Sequence, residues 1–178
     1  SSSSDVGYSI SIDSSNNLYV SGSSSGDFDN NTNSGGTDII LSKYNSNGIN
    51  QWTTQLGSSD YDIVSAVTID YSGNIYVTGY TGGSLDGQTH QGNSDLFLVK
   101  YNSNGVKQWT KQFGTSMNDN GHGVTTDSSG NIYVVGNTWN GDSSAGHYDV
   151  IFLKYNPSGT KLWTKNLSTD LNEIGYGV

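Results

Sequence analysis

The chain has no cysteine, one proline, one methionine and only seven lysine or arginine residues among 178. Without cysteine there is no disulfide, no thiolate zinc site and no cysteine nucleophile. The seven basic residues face sixteen Asp and Glu, for a net charge of -9 and a pI near 4.3. Nucleic acid needs a basic footprint that releases phosphate counterions, and an anionic membrane surface repels an acidic chain, so neither is an expected partner. No apolar run approaches the roughly 20 residues that cross a bilayer as a helix, so membrane insertion is not expected either. One proline beside 24 glycines excludes collagen-like and proline-rich linker sequence. Charged residues are 13% and hydrophobic residues 31%, with mean hydropathy -0.53, so the polarity comes from Ser, Asn, Thr and Gly. Aromatics at 11%, including 12 Tyr and 4 Trp, separate this composition from that of a disordered chain. The start at Ser1-Ser2-Ser3-Ser4, with neither an initiator methionine nor a signal peptide, leads us to expect a processed product or an internal fragment.

What is present is repetition. Asp13, Asp70 and Asp127 are 57 residues apart, as are Gly22, Gly79 and Gly136. Trp52, Trp109 and Trp163 step by 57 and then 54, as do Lys43, Lys100 and Lys154, which puts a three-residue deletion between Gly136 and Lys154. Each unit reads as four short strands, in the second unit 65–70, 74–80, 96–102 and 106–113, with Gly-containing turns inside the first and last pairs. The recurrent aspartates suit Asx-turns. The third strand is continuously apolar, as in Ile39-Ile40-Leu41, which predicts cover on both faces. Four-stranded units in tandem predict an all-β fold, a β-propeller of antiparallel blades. The expected divisions are 5–57, 58–115 and 116–169 for three blades, with 170–178 as the innermost strand of a fourth, leaving an incomplete ring. Trp52, Trp109 and Trp163 are expected to wedge between blades.

The second unit carries Asp70-Tyr71-Ser72-Gly73-Asn74-Ile75-Tyr76-Val77-Thr78-Gly79, then Gly92-Asn93-Ser94-Asp95-Leu96-Phe97-Leu98-Val99-Lys100-Tyr101, then Gly105 and Trp109. This pattern resembles the bacterial and archaeal β-propeller repeat family SBBP. The segment 102–109 is also similar to the Trp-docking motif of quinoprotein-type propellers. The resemblance implies secreted or surface-displayed proteins with binding or scaffolding roles and no shared catalytic residues.

The turns within strand pairs are nearly identical between units, whereas the connections 23–37, 81–94 and 138–148 and the inter-unit links differ. Antiparallel order puts the variable segments on one face, where a rigid scaffold presents binding loops. The candidate site there comprises Asp60, Tyr61, Asp62, Tyr80, His90, Asp119, Trp139, His147 and Tyr148. An aromatic, amide-rich face suits a protein loop or a glycan. Asp27, Asp29 and Asn31 have the alternate-oxygen spacing of a Ca²⁺ loop but lack its glycine, its bidentate glutamate and its helices. No cofactor is expected, with Ca²⁺ the one open candidate. The motif 172–178 repeats the register of 5–10, so further blades or other subunits are expected at both open ends. Together these features predict a non-catalytic extracellular or cell-surface module with a structural, adhesive or protein-binding role. A lectin-like propeller is the first alternative, and a hydrolase or lyase completed by missing blades is the second.

Overall fold

Short apolar strands separated by Gly/Asn turns become three separate four-stranded sheets in the computed structural model, which describes residues 3–140, 146–169 and 171–177. The first sheet holds β1 (Asp5–Ile12), β2 (Leu18–Ser24), β3 (Asp38–Tyr44) and β4 (Asn50–Leu56) in that order. The second holds β5 (Asp62–Ile69), β6 (Ile75–Thr81), β7 (Asp95–Tyr101) and β8 (Lys107–Phe113). The third holds β9 (Asp119–Thr126), β10 (Ile132–Asn140), β11 (His147–Tyr155) and β12 (Lys161–Leu167). Every pairing is antiparallel, and β1, β5 and β9 sit side by side as the innermost strands. This is an open arc of propeller blades, not a closed ring. β5 starts three residues earlier than its apolar pattern indicates, because Asp62 and Ile63 pair with Thr81 and Tyr80.

The turns follow from local chemistry. Asp70 Oδ1 accepts the Ser72 and Asn74 N–H groups at 2.9 Å each, and Oδ2 accepts from Asn74 Nδ2 and the Tyr76 hydroxyl. Asp13 and Asp127 repeat the same four bonds. Hydrogen bonds, first that from the Asn131 side chain, hold the Asp127 carboxyl down at about 2. The turn also needs a left-handed residue, supplied by Gly73 (φ 78°), Gly130 (φ 76°) and, in the first unit, Asn16 (φ 61°), since Asn tolerates this region.

Two cores lie between sheets. Tyr19, Ile39 and Leu41 of the first sheet meet Val77, Phe97 and Val99 of the second. Tyr76, Leu96 and Leu98 on the second sheet's other face meet Val134, Ile151 and Leu153 of the third. Both faces of β7 are therefore covered by neighbouring sheets, whereas β3 and β11 meet a sheet on one face each, and each of these buried side chains contributes roughly 1.5–3 kcal/mol. Trp52 lies under the Gly105 turn of the next blade and Trp109 under the Gly159 turn, where an added Cβ would come within about 3 Å of the indole. Among the described residues Trp163 has no following turn above it, and it is 38% exposed. At the other end, Ile10 and Ile12 are exposed where their counterparts Val67 and Ile69 are buried and partly buried in the first core.

The segment expected as the innermost strand of a fourth blade docks without pairing. The Glu173 N–H donates to the Tyr148 carbonyl at 2.7 Å, as Asp62 N–H does to Thr37 and Asp119 N–H does to Ser94. Residues 171–177 therefore enter the next blade's position but form no strand ladder. Among the described residues no second strand pairs with it in the way that β2, β6 and β10 pair with β1, β5 and β9. Asp170 and Val178 of this segment lie outside the described residues.

Candidate functional site: the loop face and its inner mouth

Three backbone features build the loop-face end of the arc. First, the top row of every sheet is Asp, then Ser or Thr, then Asp. Asp5 pairs with Ser24 and Ser24 with Asp38, Asp62 with Thr81 and Thr81 with Asp95, Asp119 with Thr138 and Thr138 with Asp149. Glu173 continues the row at the docked terminal segment. The result is a belt of carboxylates just beneath the variable loops.

Second, this belt couples the blades. The Ser58 N–H donates to Asp62 Oδ2 at 2.6 Å, and the Thr115 N–H to Asp119 Oδ2 at 2.6 Å, so each link between sheets is clamped to the strand it enters. Asp38 Oδ2 accepts from the Ser34 N–H and Gln55 Nε2, and Asp95 Oδ2 from the Gln91 N–H and Gln112 Nε2. Asp38, Asp62, Asp95 and Asp119 are fully buried, and Oδ1 of the first three has no hydrogen-bond partner. Burial pushes the Asp62 carboxyl up to about 6 against the bonds from Ser58 and Thr81, with the nearby Asp38 adding to the rise. Burial also raises Asp38 and Asp119.

Third, each innermost strand carries a bulge at the same level. The register slips between Gly7 and Ser9, between Val64 and Ala66, and between Gly121 and Gly123, leaving Tyr8, Ser65 and His122 as the extra residues. A bulge re-aims its side chain. His122 hydrogen-bonds Asn137 Oδ1 through Nε2 and meets the Tyr176 ring at 5.4 Å.

The sequence-derived candidates divide accordingly. Asp62 and Asp119 are not displayed on the loops but buried in the belt, because the backbone N–H groups of the preceding links draw their carboxylates inward. Tyr61 and Tyr80 come together, with ring centroids 6.2 Å apart, and the Tyr61 hydroxyl donates to the Asn93 carbonyl. Asp60 is exposed beside them, and its Oδ1 accepts the Tyr61 N–H. Trp139 and Tyr148 form a separate edge-on pair 4.9 Å apart on the third blade. His90 and His147 are partly buried against the belt, with His90 Nδ1 3.5 Å from Asp95 and His147 Nε2 3.2 Å from Asp149. The aromatic pairs occupy different positions in their blades and form no platform repeated at one level.

The Ca²⁺ candidates are engaged otherwise. Asp27 Oδ1 accepts the Asn33 N–H, and Asn31 Nδ2 donates to the carbonyls of Phe28, Asp29 and Thr53, closing the loop on itself. Among the described residues, no group of three or more His, Cys, Asp or Glu is placed to hold a metal ion. The sequence reading missed Tyr8 and His122 as mouth residues. It also passed over a cleft of about 550 Å³ on the opposite face, lined by Asp13, Thr68, Asp70, Tyr71 and Thr125. The two aspartates there are committed to the turn bonds already described.

The β-propeller repeat family SBBP matches residues 1–29, 51–86 and 108–142, more than half of the chain. The chain belongs to this family. Its second and third matches begin in a fourth strand and run into the second strand of the next sheet, so the SBBP repeat is offset from the blade it builds. The chain is also similar to an uncharacterized WD repeat-containing protein, L264, of Acanthamoeba polyphaga mimivirus, at 34% identity over 125 residues. That stretch is 70% of this SBBP chain and 8% of the viral protein, so the chain spans a small part of that relative's length. Among the described residues, no helix is long and apolar enough to cross a membrane.

Proposed function

We propose that this SBBP chain is a non-catalytic protein-binding module of an extracellular or cell-surface protein, contributing a rigid arc to a larger propeller. The observation that carries the reading is the contrast between the two faces. The turn face repeats one Asx geometry three times, whereas the loop face carries unrelated loops and two aromatic pairs on a scaffold clamped by the carboxylate belt. A surface that diverges over an invariant frame is where a propeller's recognition resides. The bare Ile10 and Ile12 face and the uncapped Trp163 are suited to further blades or other subunits, since internal junctions cover the same positions with a neighbouring sheet. The acidic composition and the Ser/Thr/Asn surface support the extracellular placement. A glycan reading is weaker, because sugar-stacking platforms repeated around the arc are not formed by these aromatic pairs.

The test is site-specific photo-cross-linking on intact cells of the source organism. One photoreactive residue replaces Asp60 on the loop face and another replaces Tyr71 on the turn face, followed by reconstitution of any adduct with the purified partner. A protein adduct from position 60 that reconstitutes, and none from position 71, is the expected result. Adducts confined to position 71, or to intracellular proteins, would refute the proposal.

A further inference from the structure

All seven cations of this chain are lysines, and all seven lie on third or fourth strands, at 43, 100, 107, 111, 154, 161 and 165. The inner strands, the variable loops and the inter-sheet links carry none. On the outer half the lysines are already matched to rings. Lys43 lies 5.1 Å from the Tyr19 ring centroid, Lys100 5.5 Å from Tyr76 and Lys154 4.8 Å from Tyr133. Lys161 covers Phe113 in the same way. The fold thus stacks a cation on one tyrosine in every blade at its outer side.

The inner mouth has the rings and the negative charge without the cations. Tyr8, projected by its bulge, is 48% exposed, Tyr61 is 36% exposed, and Tyr80 is half-buried between them. Tyr61 and Tyr80 are in ring contact, and Tyr8 is close enough to Tyr80 to contribute, after burial, to the raised pKa of the Tyr80 hydroxyl. Beneath them runs the aspartate belt, in which Asp38 and Asp62 are fully buried with an unpartnered oxygen each. Asp60 lies exposed alongside. Buried carboxylates with no neighbouring cation project a field less screened than surface charges do, and aromatic faces attract ammonium and guanidinium groups.

We infer that Tyr8, Tyr61 and Tyr80, set above the aspartate belt at the inner edge of the loop face, form a docking site for lysine or arginine side chains on a basic segment of a partner protein. The inference rests on the protein-binding reading and adds the partner's chemistry and its contact point. The occupant is a peptide segment because three rings contributed by two blades offer neighbouring positions for successive side chains.

The test is isothermal titration of the whole chain with three synthetic dodecapeptides, alternating serine with lysine, glutamine or glutamate. The lysine peptide is expected to bind, to weaken as salt is raised, and to lose about tenfold in affinity in the combined variant Tyr8→Leu/Tyr61→Leu/Tyr80→Leu. Tyr71→Leu, at a fully exposed ring on the opposite face, is expected to change nothing. Unchanged far-ultraviolet circular dichroism of the triple variant separates lost docking from lost folding, and each single variant is titrated if the triple does not fold. Equal binding of the glutamine or glutamate peptide, or full affinity in the tyrosine variants, overturns this site and leaves the protein-binding reading standing. Displacement of the lysine peptide by Ca²⁺ far more strongly than by ionic strength alone would make the site one for a metal ion, which also overturns the inference. If no peptide binds, the inference fails, and the protein-binding reading is decided separately by the photo-cross-linking, which uses no peptide.

Discussion

Raising the pH from about 5 to about 8 is expected to destabilise this protein, opposite to the behaviour of a fold held by ionised carboxylates. Asp62 is the reason. Its carboxyl is fully buried, faces Asp38 across the first blade junction, and is pushed from 3.8 to about 6, mainly by burial. Because its folded pKa lies above its unfolded value, the native state holds a proton that the unfolded chain releases between pH 3.8 and about 6. Stability from this group is complete below that window and is lost as pH rises through it. Two pKa units at about 1.4 kcal/mol each amount to roughly 3 kcal/mol, and the raised Asp38 and Asp119 act in the same direction. Asp127, held at about 2, has the opposite sign and costs stability only at far lower pH. The assay is urea unfolding at several pH values from about 5 to about 8, on the native sequence and on Asp62→Asn, which carries no proton to lose. Asp62 should cost the native sequence about 1–1.5 kcal/mol across this range, the rest of its contribution being lost below pH 5, and the variant should show a clearly shallower slope. A flat or rising profile in the native sequence, or an undiminished slope in Asp62→Asn, would refute the reasoning.

The remaining expectations concern the blade junctions, and urea unfolding reads each of them. Trp109→Ala strips the ring that supports both Tyr76 and the Gly159 turn, and should cost about 3 kcal/mol or more. Trp163→Ala, at the same repeat position but with no blade above it, should cost about 1 kcal/mol or less, so equal costs would dismiss the inter-blade role. Gly79→Ala would place a Cβ 1.9 Å from the Ile63 carbonyl oxygen, a backbone clash that should destabilise by about 2 kcal/mol or more. Gly7→Ala, with nothing within 4 Å, should be nearly neutral. Lys107→Ala breaks the surface ion pair with Asp86 and should change stability by less than about 1 kcal/mol.

The blades were legible because the residues that define them are tied to backbone geometry. Asp70 recurs because its carboxylate satisfies two turn amides, and Trp109 because one ring must fit one glycine turn, so both repeat with the chain's period. The bulges were not legible. Their extra residues are Tyr8, Ser65 and His122, which share no chemistry, and a register slip leaves no mark in an alternation only eight residues long. The burial of Asp62 and Asp119 was hidden by their setting in variable links. A signal did exist, since Asp5, Asp62 and Asp119 keep the 57-residue step while their neighbours do not. A carboxylate that repeats inside a segment that otherwise varies belongs to the frame, whereas the tyrosines at 8, 61 and 80 occupy positions where the other blades place different residues.

That distinction also explains why the frame tolerates its least favourable feature. Burying Asp38 beside Asp62 leaves carboxylate oxygens without partners, yet the other oxygen of each accepts a backbone N–H that would be orphaned in the link or loop between strands. The clamp holds the strand end, and it is rebuilt at the second junction and again by Glu173, which accepts the Thr169 N–H at 3.3 Å. The strand ends are fixed in this way, and of the loops between β2 and β3 and between β6 and β7 the second also seats Leu85, fully buried, in the first core. Apart from that residue they are free to differ in length and side chain while Tyr61 and Tyr80 stay in place. In this fold, rigidity and negative charge at the mouth come from the same residues. A partner attracted by that charge therefore meets a surface that does not have to order itself on binding, which lowers the entropic cost of association.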